Sequence, residues 1–538
     1  MTSIRKHLFT FIAVAGLSSG VQANDAHKNL PFDGSWSALQ KMQTPDWFKD
    51  GKVGIFIHWG PYSVLGYRKG DKGYAEHVPK LIYEDKDHYY PYLKEKFGAH
   101  PPEFGYKDII PMFKAENWDP DVWAQLFAEV GAKYVVFTAE HHDGWANWDS
   151  DLTPWNAMDK GPKRDLVGDL GKALRKKGLK YAPSYHRERH SSFFTTQKYK
   201  VNAIARADIL EEIKRDPEAE SLYGPFGFSK EYIDDYVQRW QEIQTKYQPD
   251  MLWIDDIPIF TRDGNNSQAN PQVFRPIIQY FYDQARSMIT NYMNDAAERG
   301  QAVYVNNKGW NPNWPAGVGA YERDNLKLKT IGPSWQSCTT FGTSFGYLAA
   351  EEDPNYQYKN RIKTPNKVID EMVEIISRNG NFLINIGPRA DGTIPEWQVE
   401  RLKAMGEWLK LNGEAIYGSK YWHKTGQTEG HLAFTTQGKN LFAIKLDKAS
   451  ERFVIAGTKG WSSERVKSVS LLGASAKVDW TMTPAGLLII PPSDLGASQH
   501  AWSYKIVTDR EQHPEHQNNQ PKLDYSGTQD VDLDGHAK

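Results

Sequence analysis

The stretch "MLWIDD", residues 251–256, decides how the rest of the 538-residue chain is read. Met251 to Ile254 are apolar without alternation, the pattern of a strand buried on both faces. The run leads directly into Asp255 and Asp256, and Pro258 stops it. One acid after a strand is ordinarily a solvated turn. Here the arrangement recurs: "VGIFIHWG" ends its apolar run at His58, and "KYVVFTAEHHDG" ends in Glu140, His141, His142 and Asp143. "AVYVNNKGW" delivers Asn306, Asn307 and Lys308, and "NFLINIGP" delivers Asn385. Core strands that repeatedly end on ionisable or hydrogen-bonding groups point to a shared rim.

Amphipathic helices lie between these strands. Asp119 is placed to cap a helix with Pro120 in its first turn, an expected inward face of Val122, Leu126 and Val130, and Gly131 after it. Leu166, Leu170 and Leu174 share a face in the next, closed by Gly178, and Thr364-Pro365 opens a third with Ile369, Met372, Val373 and Ile376 inward. Strands alternating with helices imply a parallel sheet. A closed (β/α)8 barrel explains the polar strand ends best, because such barrels collect their chemistry at the carboxyl ends of many strands. The barrel is expected over residues 24–415. From 416 to 510 the pattern turns to short strands without helices ("HLAFTTQGKNLFAIKL", "FVIAG", "VKSVSLLG", "GLLIIPP", "AWSYKIVT"), read as an antiparallel β-sandwich. Residues 511–538 are polar and read as a disordered tail.

Composition narrows the function class. With 65 Lys+Arg against 67 Asp+Glu the formal charge is −2, so nucleic acid is not an expected partner. Residues 1–23 have a basic start, a short apolar stretch and Ala23 at the end, the form of a secretory signal, so a periplasmic or secreted location is expected. That stretch is too short to span a bilayer, and no membrane partner is expected. Cys338 is the single cysteine, so no intramolecular disulfide can form. Oligomeric state is not readable. Adjacent histidines on a strand diverge, so His141 and His142 are read as hydrogen-bond partners of a polyhydroxylated ligand; neither metal nor cofactor is expected. Glycosidases need two carboxyl groups flanking the scissile bond. Asp255 is one candidate, and "GAYERDNLKLK" offers Glu322 as the second, with Asp324 the fallback.

The chain resembles glycoside hydrolase family 29, the α-L-fucosidases. "WFKDGKVGIFIHWGPYSV" is similar to the family's opening strand and "WAQLFAEVGAKYVVFTAEHHDGWANWDS" to its double-histidine segment. "QTKYQPDMLWIDD" resembles the nucleophile strand, "SRNGNFLINIGPRADGTIPEWQ" the closing barrel segment, and "NGEAIYGS" leads into a sandwich like the family's own. The resemblance implies a retaining exo-hydrolase of terminal α-L-fucosides, with a fucosylated oligo- or polysaccharide as partner. It makes Asp255 the nucleophile and Glu322, in "YERDNLKLKTIGPSWQSC", the acid/base. His58, His141 and His142 would bond sugar hydroxyls, Phe345 in "TSFGY" would meet the C6 methyl, and Glu76, His77, Tyr185, Trp253 and Lys308 complete the expected sugar contacts. There are departures: Lys308 stands where Arg is usual, His77 where Trp is common, and Gln336 where Glu is often found. "SYHRERHSS" reads as a solvated basic loop, with sulfated glycans as its functional alternative. An α-L-galactosidase and an inactive carbohydrate-binding protein are the rival readings.

Overall fold

The computed structural model describes residues 32–70, 73–197, 202–255, 271–308, 318–322, 334–422, 431–447 and 449–512. The expected signal segment lies outside them, as does the expected tail beyond Gln512. Gln512 itself is buried and its backbone N–H donates to the Gly438 carbonyl at 2.7 Å, so the ordered chain runs slightly past 510.

Eight parallel strands close into a barrel in chain order: β1 Val53–Ile57, β2 Tyr134–Glu140, β3 Lys180–Tyr185, β4 Met251–Ile254, β5 Tyr304–Asn307, β6 Val318–Glu322, β7 Trp335–Thr340 and β8 Gly380–Ile386. Pairing of β1 with β8 as well as β2 seals the cylinder. Every residue of β1, β2, β4 and β8 is buried, because one face fills the lumen and the other meets the helices. Helix signals are honoured in place. The Asp119 carboxylate accepts from the N–H groups of Asp121 at 2.9 Å and Val122 at 3.2 Å. Thr364 caps Pro365–Ser377, whose Ile369, Met372, Val373 and Ile376 are buried. The helix Pro120–Glu129 differs from expectation: Val122 is 62% exposed, while Trp123, Ala124 and Phe127 point inward. Trp123 and Phe127 offer more area than Val122 and Leu126, and Trp123 packs on Trp59 at a centroid distance of 5.2 Å.

After the helix Glu396–Asn412 come two antiparallel sheets. One, ordered β13-β16-β11-β10-β9, is built from β9 Lys420–Tyr421, β10 Leu432–Gln437, β11 Asn440–Lys445, β13 Val466–Leu471 and β16 Trp502–Thr508. The other, β12-β15-β14, comprises β12 Phe453–Ile455, β14 Asp479–Thr483 and β15 Gly486–Ile490. β10 and β11 are apolar on both faces for a reason. Ala433, Phe442 and Ile444 join the barrel's own core, whereas Phe434, Leu441 and Ala443 face the smaller sheet. The larger sheet is thus a middle layer, and the Trp408 indole N–H tethers it by donating to the Ala501 carbonyl at 2.9 Å.

Candidate active site

Because the strands are parallel, the residues that follow them gather at one rim. Asp255, the first residue after β4, is 6% exposed, and its backbone N–H donates to Tyr185 O at 3.2 Å. Its Oδ1 is paired with the Lys308 ammonium, and His186 Nδ1 lies 3.6 Å from the same oxygen. His142 Nε2 is 3.8 Å from Oδ2. Burial alone would raise this carboxyl, but the Lys308 charge and the flanking imidazoles hold it well below the usual carboxylate range.

Four of the histidines around it are held neutral, chiefly because burial disfavours their charged form: His58, His141 and His142 lie well below the ordinary value of 6.5, and His77 is lowered to about 3. Their neighbours set which nitrogen carries the proton. Asn385 Nδ2 donates to the Phe345 carbonyl at 2.7 Å, which leaves its Oδ1 to accept from His58 Nδ1 at 2.7 Å. His142 Nδ1 donates to the His186 carbonyl at 2.5 Å. In both rings Nε2 therefore keeps its lone pair as an acceptor. His141 Nδ1 is buried with no partner among the described residues. The expected divergence of His141 and His142 does not occur: β2 ends at Glu140, the two residues lie in the following turn, and their ring centroids are 4.2 Å apart. Asp143 anchors that turn, its carboxylate accepting from the Tyr106 hydroxyl and the Trp145 N–H; burial pushes it up to about 7.

Trp253 floors the cluster, 4.7 Å from Phe56 and 5.3 Å from His186 between centroids, with Lys308 Nζ over its ring at 5.5 Å. Its indole N–H donates to Gln336 at 2.8 Å. Phe345 forms an apolar wall against His58 at 5.0 Å and Tyr74 at 5.7 Å. Glu76 sits behind that wall, its Oε2 accepting from the Ser344 hydroxyl at 3.0 Å and the Gly346 N–H at 2.8 Å, so it positions the turn that carries Phe345. Gly387 permits the turn's close approach, since a Cβ there would lie 2.7 Å from the Tyr347 nitrogen.

Two expectations are corrected. Tyr185 does not face the site. Side chains alternate along β3, so Tyr185 points outward to stack on Trp240 and to donate to the Tyr236 carbonyl at 3.0 Å, while the next residue, His186, turns inward. The "SYHRERHSS" segment is not a solvated loop: His186, Arg187, Glu188 and His190 are all buried. Arg187 bridges Glu140 and Asp235, each at 2.5 Å, and Arg239 bridges the same two acids at 3.4 and 2.9 Å. This pair of acids and pair of bases holds the β2 and β3 ends together. His186 was missed although the signal was present, since it follows a strand as His58 and Asp255 do. Glu322 ends β6 on the same rim; its side chain, like Asp324 and Asp256, lies outside the described residues.

A closed parallel barrel whose rim joins one ionised carboxylate to neutral imidazole acceptors and an aromatic floor has the site of a barrel hydrolase for a small polyhydroxylated ring. The comparisons make this specific. The alpha-L-fucosidase family model matches residues 19–414. Tissue alpha-L-fucosidase of Bos taurus is 31% identical over 88% of this chain and 90% of its own length, and plasma alpha-L-fucosidase of Homo sapiens is 32% identical over 75% of each. The crystal structure of Thermotoga maritima alpha-fucosidase in complex with fucose superposes with a TM-score of 0.68 at 29% identity, covering 88% of this chain and 99% of that one. The chain belongs to the α-L-fucosidase family and is a glycoside hydrolase.

Proposed function

We propose that the protein removes terminal α-L-fucosyl residues from glycans with net retention, Asp255 acting as nucleophile and Glu322 as acid/base. Asp255 attacks the anomeric carbon as the glycosidic bond breaks, and Glu322 gives its proton to the departing oxygen. Glu322 then takes a proton from water, whose oxygen displaces Asp255 from the glycosyl ester. Adjacent strands stand about 4.8 Å apart. The ends of β4 and β6, two strands apart, are thus separated by roughly 10 Å, a span that two acidic side chains can narrow to the ~5–5.5 Å of retaining enzymes. His58 and His142, with Nε2 as acceptor, receive sugar hydroxyls, and Phe345 meets the C6 methyl.

The observation that carries this reading is the buried Asp255 carboxylate, held ionised by Lys308 at the centre of a neutral histidine wall. Asp255→Ala assayed on an aryl α-L-fucoside tests it. Loss of kcat on the order of 10⁴- to 10⁶-fold, partly restored by azide, is expected; unchanged turnover removes Asp255 from the chemistry. A site that relies on an apolar wall rejects an added hydroxyl only weakly, about 10²-fold. Aryl α-L-galactosides should accordingly be slow substrates. Arg187 has its charge matched by Glu140 and Asp235, so it does not argue for sulfated glycans. Export is read from residues 1–23 alone, and the amino-terminal sequence of the protein recovered from the periplasm or medium checks it.

A further inference from the structure

We propose that His58, His141 and His186 form a binding site for a divalent transition-metal ion, and that Zn²⁺ held there closes the pocket to sugar. One ring nitrogen from each lies within 4.8 Å of the other two, and all three side chains are buried. The three come from the ends of β1, β2 and β3, so no spacing along the chain announces them.

In His58 and His186 the nitrogen on the side away from the ion has a hydrogen-bond partner, as metal-binding histidines require. His58 Nδ1 donates to Asn385 at 2.7 Å. His186 Nε2 is 2.8 Å from Ser184 Oγ, whose own hydrogen is directed to Thr138 Oγ1 at 3.4 Å. Nδ1 of His186 faces Asp255 Oδ1 at 3.6 Å, and an ion taking Nδ1 leaves the ring proton on Nε2, where Ser184 Oγ accepts it. His141 has its Nδ1 buried without a partner among the described residues. Tetrahedral zinc takes nitrogen at about 2.0–2.1 Å, so the three rings must draw together by roughly 1 Å. Three imidazoles leave a fourth position open, and Asp255 and Lys308 nearby are a neutral pair. Imidazole favours Zn²⁺, Cu²⁺ and Ni²⁺ over the oxygen-seeking Mg²⁺ and Ca²⁺.

Two other clusters are weaker. His77, His141 and His142 include a partly exposed ring, and His142, Glu188 and Asp255 include the carboxylate already paired with Lys308. The nitrogens a metal would take from His58 and His141 are those left for a ligand, so ion and sugar exclude each other. The ion is an inhibitor here, with no part in the glycosyl transfer.

Equilibrium dialysis of the EDTA-treated full chain against ZnCl₂ tests the site. One ion per chain is expected, with Co²⁺ in its place giving the visible absorption of a low-coordinate nitrogen site. His141→Gln should weaken zinc by at least about tenfold, while His88→Gln and His431→Gln, at exposed histidines beside acids, should not. Saturating L-fucose should weaken zinc equally in the unmodified protein, a result that needs no variant to fold. In the assay Zn²⁺ should raise KM at constant kcat, EDTA should restore the rate, and Mg²⁺ should do nothing. Zinc uptake undiminished in folded His141→Gln, or no uptake at millimolar zinc, overturns the proposal. The dialysis arm does not depend on the fucoside reading, whereas competition by L-fucose does, so failure of one is distinct from failure of the other.

Discussion

Two sets of largely buried polar side chains adjoin each other at the ends of β2 and β3, and they are built oppositely. Glu140, Arg187, Arg239 and Asp235 form a closed circuit in which every charge faces its opposite. In front of them His58, His141 and His142 are uncharged, and the hydrogen bonds of His58 and His142 fix which nitrogen of each ring carries the proton. His141 Nδ1 and the Tyr62 hydroxyl have no partner among the described residues. An unmade buried hydrogen bond costs about 1–3 kcal/mol, so a fold retains such groups where a ligand will complete them. On the proposed function, the charge-matched set supports the structure and the uncharged set meets the ligand.

If that division is right, acid should attack the front set with the largest effect. Five histidines are held low: His77 and His190 at about 3, and His58, His141 and His142 well below 6.5. Below pH 6.5 the unfolded chain binds protons at these five sites that the folded chain refuses, down to near pH 3 at His77 and His190. Their stabilisation is therefore fully present above 6.5 and is lost as pH falls from 6.5 toward 3. Each group contributes up to about 1.4 kcal/mol per pH unit. Thermal midpoints measured from pH 7 to pH 4 should fall steeply from the upper end of that window, and saturating L-fucose should delay the fall. A midpoint that stays flat to pH 5 would refute the neutral wall.

Breaking the rear circuit comes next. Arg187→Met leaves Asp235 and the fully buried Glu140 short of one cation, at a cost of about 3–5 kcal/mol in unfolding free energy. Urea denaturation measures it. A loss below 1 kcal/mol would mean that the circuit is solvated and that the contrast is false.

His141→Phe should give the reverse signature. It removes a buried nitrogen that lacks a partner among the described residues, so the thermal midpoint should hold or rise, while kcat/KM on an aryl fucoside falls roughly 10- to 100-fold. Falling stability together with unchanged kinetics would move His141 from the binding set to the structural one.

The same division explains what the amino-acid order reveals. β1, β2, β4, β5 and β8 are legible because their cores are continuous apolar runs. β7, "WQSCTT", is not, since Gln336, Ser337, Thr339 and Thr340 interrupt it with buried polar residues on both faces, Gln336 joining Trp253 to Tyr134. Strand ends marked Asp255, His58, His141, His142 and Lys308, which the fold brings together. Tyr185 and His186 were exchanged because a one-residue shift in where β3 is taken to end swaps the lumen face for the helix face. The basic segment misled for a different reason: Arg187 and Arg239 meet Glu140 across 47 and 99 residues, and a charge run shows none of its distant partners.

The smallest expected effect belongs to Lys308, where the two sets touch, because it is a charged group paired like the rear circuit yet placed on the rim. Its ammonium opposes the burial that would otherwise raise Asp255. Lys308→Met should lift the Asp255 pKa, so the acidic limb of kcat/KM moves to higher pH and activity is lost from the acid side first. Lys308→Arg keeps the charge and should leave that limb in place, changing KM by a few-fold at most, within about 1 kcal/mol. Two pH profiles decide the matter. If the Met and Arg variants share one displaced limb, lysine acts by its shape and reach; if only the Met variant moves, its contribution is the charge that keeps the buried Asp255 ionised.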